Sequence, residues 1–505
     1  MVNTHHLKQI KQGAYHWNQW RKQHPRVKPD LSGADLSELD LKDINLINAN
    51  LSRTNLSLAD LSGAYLAGCD LSHAFLSEAK LNRANFSRAD LTKADLSFAR
   101  LQGATFIEAT LYRAILIEAS LVQAVLPYAD LRQVNLHKAD LSEANGIKAN
   151  LTQAKLDAAL LQHINLSRAF MSEASLKEAN LIGANLSKAD LSFAQLRSAL
   201  LRGANFGKST TIETNFRGAD LRNASFKGGQ CARTNFSRAD LRRTDLSGAN
   251  LPAANMSEAD LQGATLKQAN LSDVNFTRSR LSSTNFSAAT LTGACLEDIS
   301  PSPSTTLTDV RCDYAYLRNN QQERIPEEGI LTRGEISHWF VSAQATIDLG
   351  LPKDVHWAAL TYSLQWLQAQ PTYRPIKIQR LEHKQDGTVL LRLTTAADLD
   401  KEQLRLDIWR VYEDTYRMLK PTEAQVIAQP LPKLDPQQYG HQESINRLFD
   451  FLTLTMEALT PDNAVVLQQS ALAQPHQYRS VFLPDTEVSP STISQFEELK
   501  QPHTL

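Results

Sequence analysis

Ser32–Leu66 reads SGADLSELDLKDINLINANLSRTNLSLADLSGAYL, and its beat of five decides the fold. A central residue, usually Leu or Phe, stands at Leu31, Leu36, Leu41, Leu46, Leu51 and onward to Leu296 without insertion or deletion. The word is A-[DN]-L-x-x, sustained for about 54 units. Five residues advance an α-helix by about 140°, which would scatter the leucines around its girth. Asn, Asp, Ser and Gly in nearly every unit favour turns over helix. The pattern therefore predicts a short extended segment and a corner every five residues, coiling with each central side chain inward.

Two longer phases give the number of sides. Phe86, Phe106, Phe206, Phe226 and Phe286, with Phe216, Phe236 and Phe276, all differ by multiples of ten. Before the central residue, Asp favours one phase of ten (Asp40, Asp60, Asp90, Asp140, Asp240) and Asn the other (Asn45, Asn85, Asn185, Asn205, Asn285). A coil of three sides cannot hold a ten-residue phase, whereas a coil of four sides can. The reading is an all-β solenoid, a four-sided β-helix over residues 30–320, with about 13 coils stacked into a rod of roughly 65 Å. Ala fills most positions two before the centre, where a small residue lets the interior close. Leu39, Ile44, Val134, Ile164 and Val274 are bulkier there and are expected to widen the coil locally.

This pattern resembles the pentapeptide-repeat family, whose fold is a right-handed quadrilateral β-helix. The words WNQWRKQHPRVKPDLSGADLS (17–37), LTDVRCDYAYLRNNQQERIP (307–326), GEISHWF (334–340) and IKIQRLEHKQDGTVLLRL (376–393) are similar to those of cyanobacterial members with an α+β C-terminal domain. The resemblance implies a fold and brings no settled activity.

An open β-helix end is a sheet edge that invites pairing. In residues 1–29, Leu7, Ile10, Ala14 and Trp17 share one face of a predicted helix, extended by Trp20 and ended by Pro25 and Pro29. We read it as a cap on the first coil. A membrane-surface helix is the alternative, given Lys8, Lys11, Arg21, Lys22 and Arg26. At the other end SPSPSTTLTD (300–309) shifts the register by one, and Leu307, Cys312 and Leu317 resume the step, predicting a last partial coil. Residues 330–460 read as a small α+β domain. Its predicted helices cover 335–350, 354–369, 398–419 and 444–459, with a hairpin turning at Asp386–Gly387. Residues 461–505 read as a flexible tail.

Three central positions lose their apolar residue: Gly146, Thr211 and Cys231. Gly146 predicts a bulge or cavity. Around Thr211 and Cys231 the chain is basic, with Arg202, Arg222 and Arg242 spaced by twenty and Arg197 and Arg217 forming a second pair. Such ladders repel unless neutralised. They read as a docking site for an acidic protein surface, or secondarily for a phosphate backbone, or else as a solvated face balanced by Asp220 and Asp240. A belt of outward apolar residues, Ile107, Tyr112, Ile115, Ile117, Val122, Val125 and Tyr128, calls for a cover. A protein partner, a homodimer mate or the chain's own C-terminal domain would each serve.

Net charge is −1 over 505 residues, and the repeat region carries about 28 basic and 28 acidic residues. This balance argues against nucleic acid or an anionic membrane as partner. Cys69, Cys231, Cys295 and Cys312 show no metal-ligand spacing and read as buried thiols of a reducing compartment. There is no secretory h-region and no apolar run long enough to span a bilayer, so the expected location is cytoplasmic. His338, His356 and His383 lack HExxH or paired metal spacing, and no Gly-rich loop marks a nucleotide site. No catalytic, cofactor or metal residue is assigned. The leading expectation is a non-enzymatic protein-interaction scaffold. The resemblance implies one alternative, a DNA mimic acting on a type II topoisomerase, which the neutral charge disfavours. A catalytic or regulatory C-terminal domain carried on the rod is the other.

Overall fold

The computed structural model describes residues 3–419 except 303, 345, 353–354, 374–375, 384–387, 396–398 and 400. From Asp30 onward each residue before a central position bridges, in parallel, the residue twenty further on: Asp30 with Asn50, Asp35 with Asn55, Asp40 with Asp60 and Asn45 with Tyr65. Four sides per coil follow. Each side holds one bridging residue instead of a regular strand, because two of its five residues form the corner. Two-residue strands are assigned only at β1 (Arg280–Leu281) and β2 (Ser300–Pro301), paired in parallel.

The repeat word follows from an accounting of backbone donors. Leu31 N donates to Asn50 O (2.8 Å), Gly33 N to Ser52 O (2.9 Å) and Asn55 N to Ala34 O (2.9 Å), tying each side to both neighbouring coils. Ala34 N closes the corner on Leu31 O at 3.0 Å. The remaining donor, Ser32 N, finds the Asp30 carboxylate at 3.1 Å. The Asp or Asn of A-[DN]-L-x-x thus supplies the one acceptor the backbone lacks. The third corner residue sits in the left-handed region, with φ of 60° at Glu38, 58° at Arg53 and 60° at Phe98. A non-glycine residue there costs about 1–2 kcal/mol, tolerated because the surrounding hydrogen bonds leave no other path.

All eight central phenylalanines point inward and are fully buried. Phe206 stacks on Phe226 at 4.5 Å and Phe216 on Phe236 at 5.2 Å, and the two stacks meet edge-on across the interior at 5.4–5.6 Å. Opposite sides therefore carry matching residues, as the ten-residue phase requires. Ile44, Val134, Ile164 and Val274 are buried with corner bonds of 3.2–3.3 Å, at or just beyond the long end of those at alanine positions, while Leu39 is only half-buried. Thr54, Thr214, Thr234, Thr244 and Thr284 occupy the same position and send their hydroxyls to a carbonyl of the preceding coil.

The N-terminal segment is two helices and not one: α1 (Thr4–Ile10) and α2 (Ala14–Gln23), separated at Gly13 by a φ of 95°. The break lets both lie on the first coil. Trp17 is buried and its Nε1 donates to Asn45 O at 2.7 Å, while Arg21 donates to Val27 O and Ile47 O. At the far end the register shifts by one, with Asn285 bridging Thr306 and Cys295 bridging Tyr316. Leu317 was expected to point inward but is half-buried, and Ala315 is buried in its place. The cause is an antiparallel hairpin, β3 (Ala315–Arg318) with β4 (Gln322–Ile325), which ends the parallel coil. Helix α3 (Glu335–Gln344) follows, and its Phe340 meets Phe286 edge-on at 6.1 Å.

The predicted helix over 335–350 stops at Gln344, and β5 (Thr346–Leu351) takes its second half. β5 pairs antiparallel with β7 (Val389–Thr394), which also pairs with β6 (Lys377–His383), giving the order β5-β7-β6. The predicted hairpin is β6–β7, although Asp386–Gly387 lies outside the described residues. Asp348 and Arg392 form a two-bond ion pair at 2.7 and 2.8 Å within this sheet. Helices α4 (Trp357–Ala369) and α5 (Lys401–Leu419) are present, and the predicted helix 444–459 and the tail 461–505 lie outside the described residues. The described residues divide into two units, one of residues 3–352 with 368–406 and one of residues 355–367 with 407–419. The three-stranded sheet falls in the same unit as the β-helix. No described helix is long and apolar enough to cross a membrane.

Candidate binding faces of the β-helix

A period of twenty sorts every outward side chain onto one of four faces, named here by four consecutive central leucines: Leu36, Leu41, Leu46 and Leu51. Arg202, Arg222 and Arg242 form a column on the Leu41 face, and beside them Asp220, Asp240 and Asp260 form another. Arg222 pairs with Asp220 at 2.6 Å and reaches Asp240 at 3.4 Å. Arg242 pairs with Asp240 at 2.5 Å and Asp260 at 3.9 Å, and Arg202 with Asp220 at 3.5 Å. Partial burial pushes the Asp220 carboxyl up, but hydrogen bonds from Arg222 and the charges of Arg222 and Arg202 outweigh it and hold the group below its ordinary range. Each arginine of this column is thus paired with carboxylates of its own face. Arg197 and Arg217 are exposed on the Leu36 face and have no carboxylate in ion-pair range among the described residues.

The irregular central positions are not surface features. Thr211 and Cys231 are fully buried, and burial pushes the Cys231 thiol up to about 12. The bulge or cavity expected at Gly146 is not there. Its backbone bonds continue, with Gly146 N to Asn165 O at 2.8 Å. Leu166 Cδ2 lies 2.9 Å from where a Gly146 Cβ would stand, so the next rung's side chain fills the gap. All four cysteines are buried and free.

The seven-residue apolar belt is not one patch. Ile115 and Ile117 lie on the Leu36 face, Ile107, Val125 and Tyr128 on the opposite Leu46 face, Tyr112 on the Leu51 face and Val122 on the Leu41 face. No flat partner can touch them together. Three residues absent from the sequence reading complete a coherent patch instead. Leu58, Phe75 and Phe98 are about half exposed (50%, 52% and 51%) and share the Leu36 face with Ile115 and Ile117. Phe75 and Ile115 stand where Asp or Asn would otherwise accept the corner N–H, so each forgoes that bond without gaining burial. On this face Asp35, Glu38, Glu78, Asp95 and Glu118 are the only charges as far as Glu118. The signal was available as residue number modulo twenty, but a belt read along the chain mixes the four faces.

Of the three histidines considered, His356 precedes α4, accepts from Ala359 N at 3.2 Å through Nδ1, and lies edge-on to Tyr416 at 5.7 Å. That is the role of a helix-start acceptor. His338 lies in α3 and His383 in β6, both in the other unit. Among the described residues no group of three His, Cys, Asp or Glu is placed to hold a metal. A depression of about 490 Å³ near the last coil is lined by Asp309, Arg311, Asp313 and Arg333.

Coils of four five-residue sides, with an apolar interior and ladders outside, define a pentapeptide solenoid. The chain belongs to the pentapeptide-repeat family: eight overlapping copies of the family's repeat model match between residues 30 and 298. Its fold is accordingly a right-handed quadrilateral β-helix. No curated protein matches the chain. Among solved structures it is similar to HetL, a pentapeptide repeat protein involved in heterocyst differentiation regulation from the cyanobacterium Nostoc sp. Strain PCC 7120. The identity is 28% over 61% of this chain and 98% of HetL, with a TM-score of 0.18. It is also similar to Rfr23 from the cyanobacterium Cyanothece 51142 (24% identity, 28% of this chain and 91% of that one, TM-score 0.16). QnrB1, a plasmid-mediated fluoroquinolone resistance protein, aligns at 19% identity over 37% of this chain and 89% of its own, with a TM-score of 0.20. Superpositions this weak carry no functional argument.

Proposed function

We propose that this chain is a non-enzymatic cytoplasmic scaffold whose Leu36 face binds a protein partner. The observation that carries the reading is the strip Leu58, Phe75, Phe98, Ile115 and Ile117, set among five carboxylates with no cation. Apolar side chains rimmed by charge are the anatomy of a protein interface, with aromatic anchors at its centre. The charge complement is an amphipathic segment bearing Lys or Arg around an apolar stripe. The topoisomerase-directed alternative requires a strongly acidic surface over much of the solenoid, whereas the acidic and basic residues of the repeat region cancel. Affinity capture with the full chain tests the proposal when repeated with Phe75→Ser/Phe98→Ser. A specific partner retained by the parent and lost by the variant supports it. Equal recovery by both, with unchanged circular dichroism, rejects it.

A further inference from the structure

The Leu46 face carries the longest uncompensated run of like charge among the described ladders. Lys148, Arg168, Lys188 and Lys208 follow one another at intervals of twenty, and Lys227 continues the run one residue to the side. At the usual inter-strand spacing they form a row of roughly 19 Å. Elsewhere on the β-helix several cations are answered from a neighbouring coil. Arg88 meets Glu108 at 2.9 Å, Arg238 meets Glu258 at 2.9 Å, and Arg233 meets Glu213 at 2.8 Å. On the Leu46 face no acidic residue stands between Glu108 and Asp245. None of the five cations has a carboxylate in ion-pair range among the described residues. Lys148 alone has a partner, Tyr128, whose hydroxyl accepts from it at 3.0 Å. Around the corner from Lys188, Asp190 accepts from Ser172 and Ser192.

We propose that this row binds the phosphodiester backbone of a duplex nucleic acid, without reading bases. Three features select that occupant. First, beyond Ile147 and Tyr128 at its Lys148 end, the face carries no outward apolar or aromatic side chain from Arg168 to Gly248. That stretch therefore lacks the anchor of a protein interface, the stacking platform of a single-strand binder and the side chains that enter a lipid interface. Second, the row's length matches the rise of about five or six phosphates of one strand. Third, Gly207, Gly228 and Gly248 floor a depression of about 500 Å³ beside Lys208 and Lys227, where a phosphate can approach the backbone closely. The flanking column is held rigid by an asparagine ladder, Asn145 to Asn205, with rungs of 3.3–3.4 Å. The chain's near-zero net charge conceals this site because the balancing acids lie on other faces. The inference is independent of the apolar strip opposite.

Fluorescence anisotropy of a labelled mixed-sequence DNA duplex, titrated with the full chain, tests it. Five phosphate contacts predict a log–log salt slope near −4.5, or about a 500-fold loss of affinity between 50 and 200 mM salt. Lys188→Glu/Lys208→Glu is expected to remove binding or flatten the slope to −2.7 or less. Lys93→Glu/Arg113→Glu, the same charge change on the Leu51 face, is expected to leave the slope unchanged. The absence of duplex binding at 50 mM salt overturns the proposal, as does equal weakening by both double variants. Binding to phosphatidylserine vesicles with none to the duplex also overturns it, in favour of a membrane surface.

Discussion

Gly146→Leu restores the repeat's own residue, and sequence and structure disagree about its effect. If the glycine left a void between Leu126 and Leu166, refilling it would stabilise the chain. The structure places Leu166 Cδ2 at 2.9 Å from the position of a new Cβ, well inside the usual carbon–carbon separation of about 3.5–4.0 Å. A full leucine adds three more carbons beyond that Cβ. Overpacking of this kind costs about 1–3 kcal/mol. Removing a glycine with an ordinary φ returns about 0.4–1 kcal/mol through the unfolded state. The net expectation is a destabilisation of about 1–2 kcal/mol. Leu166→Ala alone should cost about 2–5 kcal/mol, since Leu166 fills parts of two rungs. The double variant should cost less than the sum by about 1–3 kcal/mol, because the new leucine occupies the vacated space. Urea midpoints followed by far-UV circular dichroism, compared only where the m-value is unchanged, measure all three. A raised midpoint for Gly146→Leu would refute the reasoning, and so would strict additivity of the pair.

Two further outcomes follow from the same geometry. Cys69, Cys231 and Cys312 are buried and their thiols are pushed up to about 12. They should resist a thiol reagent at neutral pH in the native chain and react fully in denaturant; rapid native labelling would contradict their placement. Asp220 has a folded-state pKa held below its ordinary value, so its contribution is complete above the unfolded value of about 3.9 and is lost as pH falls through the folded one. The parent should exceed Asp220→Asn in stability by about 1 kcal/mol near pH 7, and this gap should close below about pH 4. A gap unchanged from about pH 5 to about pH 2 would remove Asp220 from the ladder's account.

The fold was legible because its causes are local and repeated. The Leu or Phe that fills the interior, the Ala that lets it close and the Asx that accepts the corner N–H recur in each unit, so any one coil states the rule. The two-helix N-terminus was less legible. Leu7, Ile10, Ala14 and Trp17 keep helical spacing across Gly13, and only docking on the first coil requires the bend there. Likewise 346–351 is apolar enough for either helix or strand, and pairing with β7 decides.

Sequence by itself determined four sides, an inward register and the identity of the core, since each depends on contacts between residues at fixed short spacing. Tertiary structure decided what the surface is. It neutralised Arg222 with Asp220 and Asp240, filled the Gly146 gap with Leu166, and dispersed the apolar belt over four faces. It also gathered Leu58, Phe75 and Phe98 beside Ile115, and Lys148 to Lys227 into one row. The physical reason is that charge and apolar area act through distance in space. Neighbours along a face stand twenty residues apart in the chain, while consecutive units point in different directions.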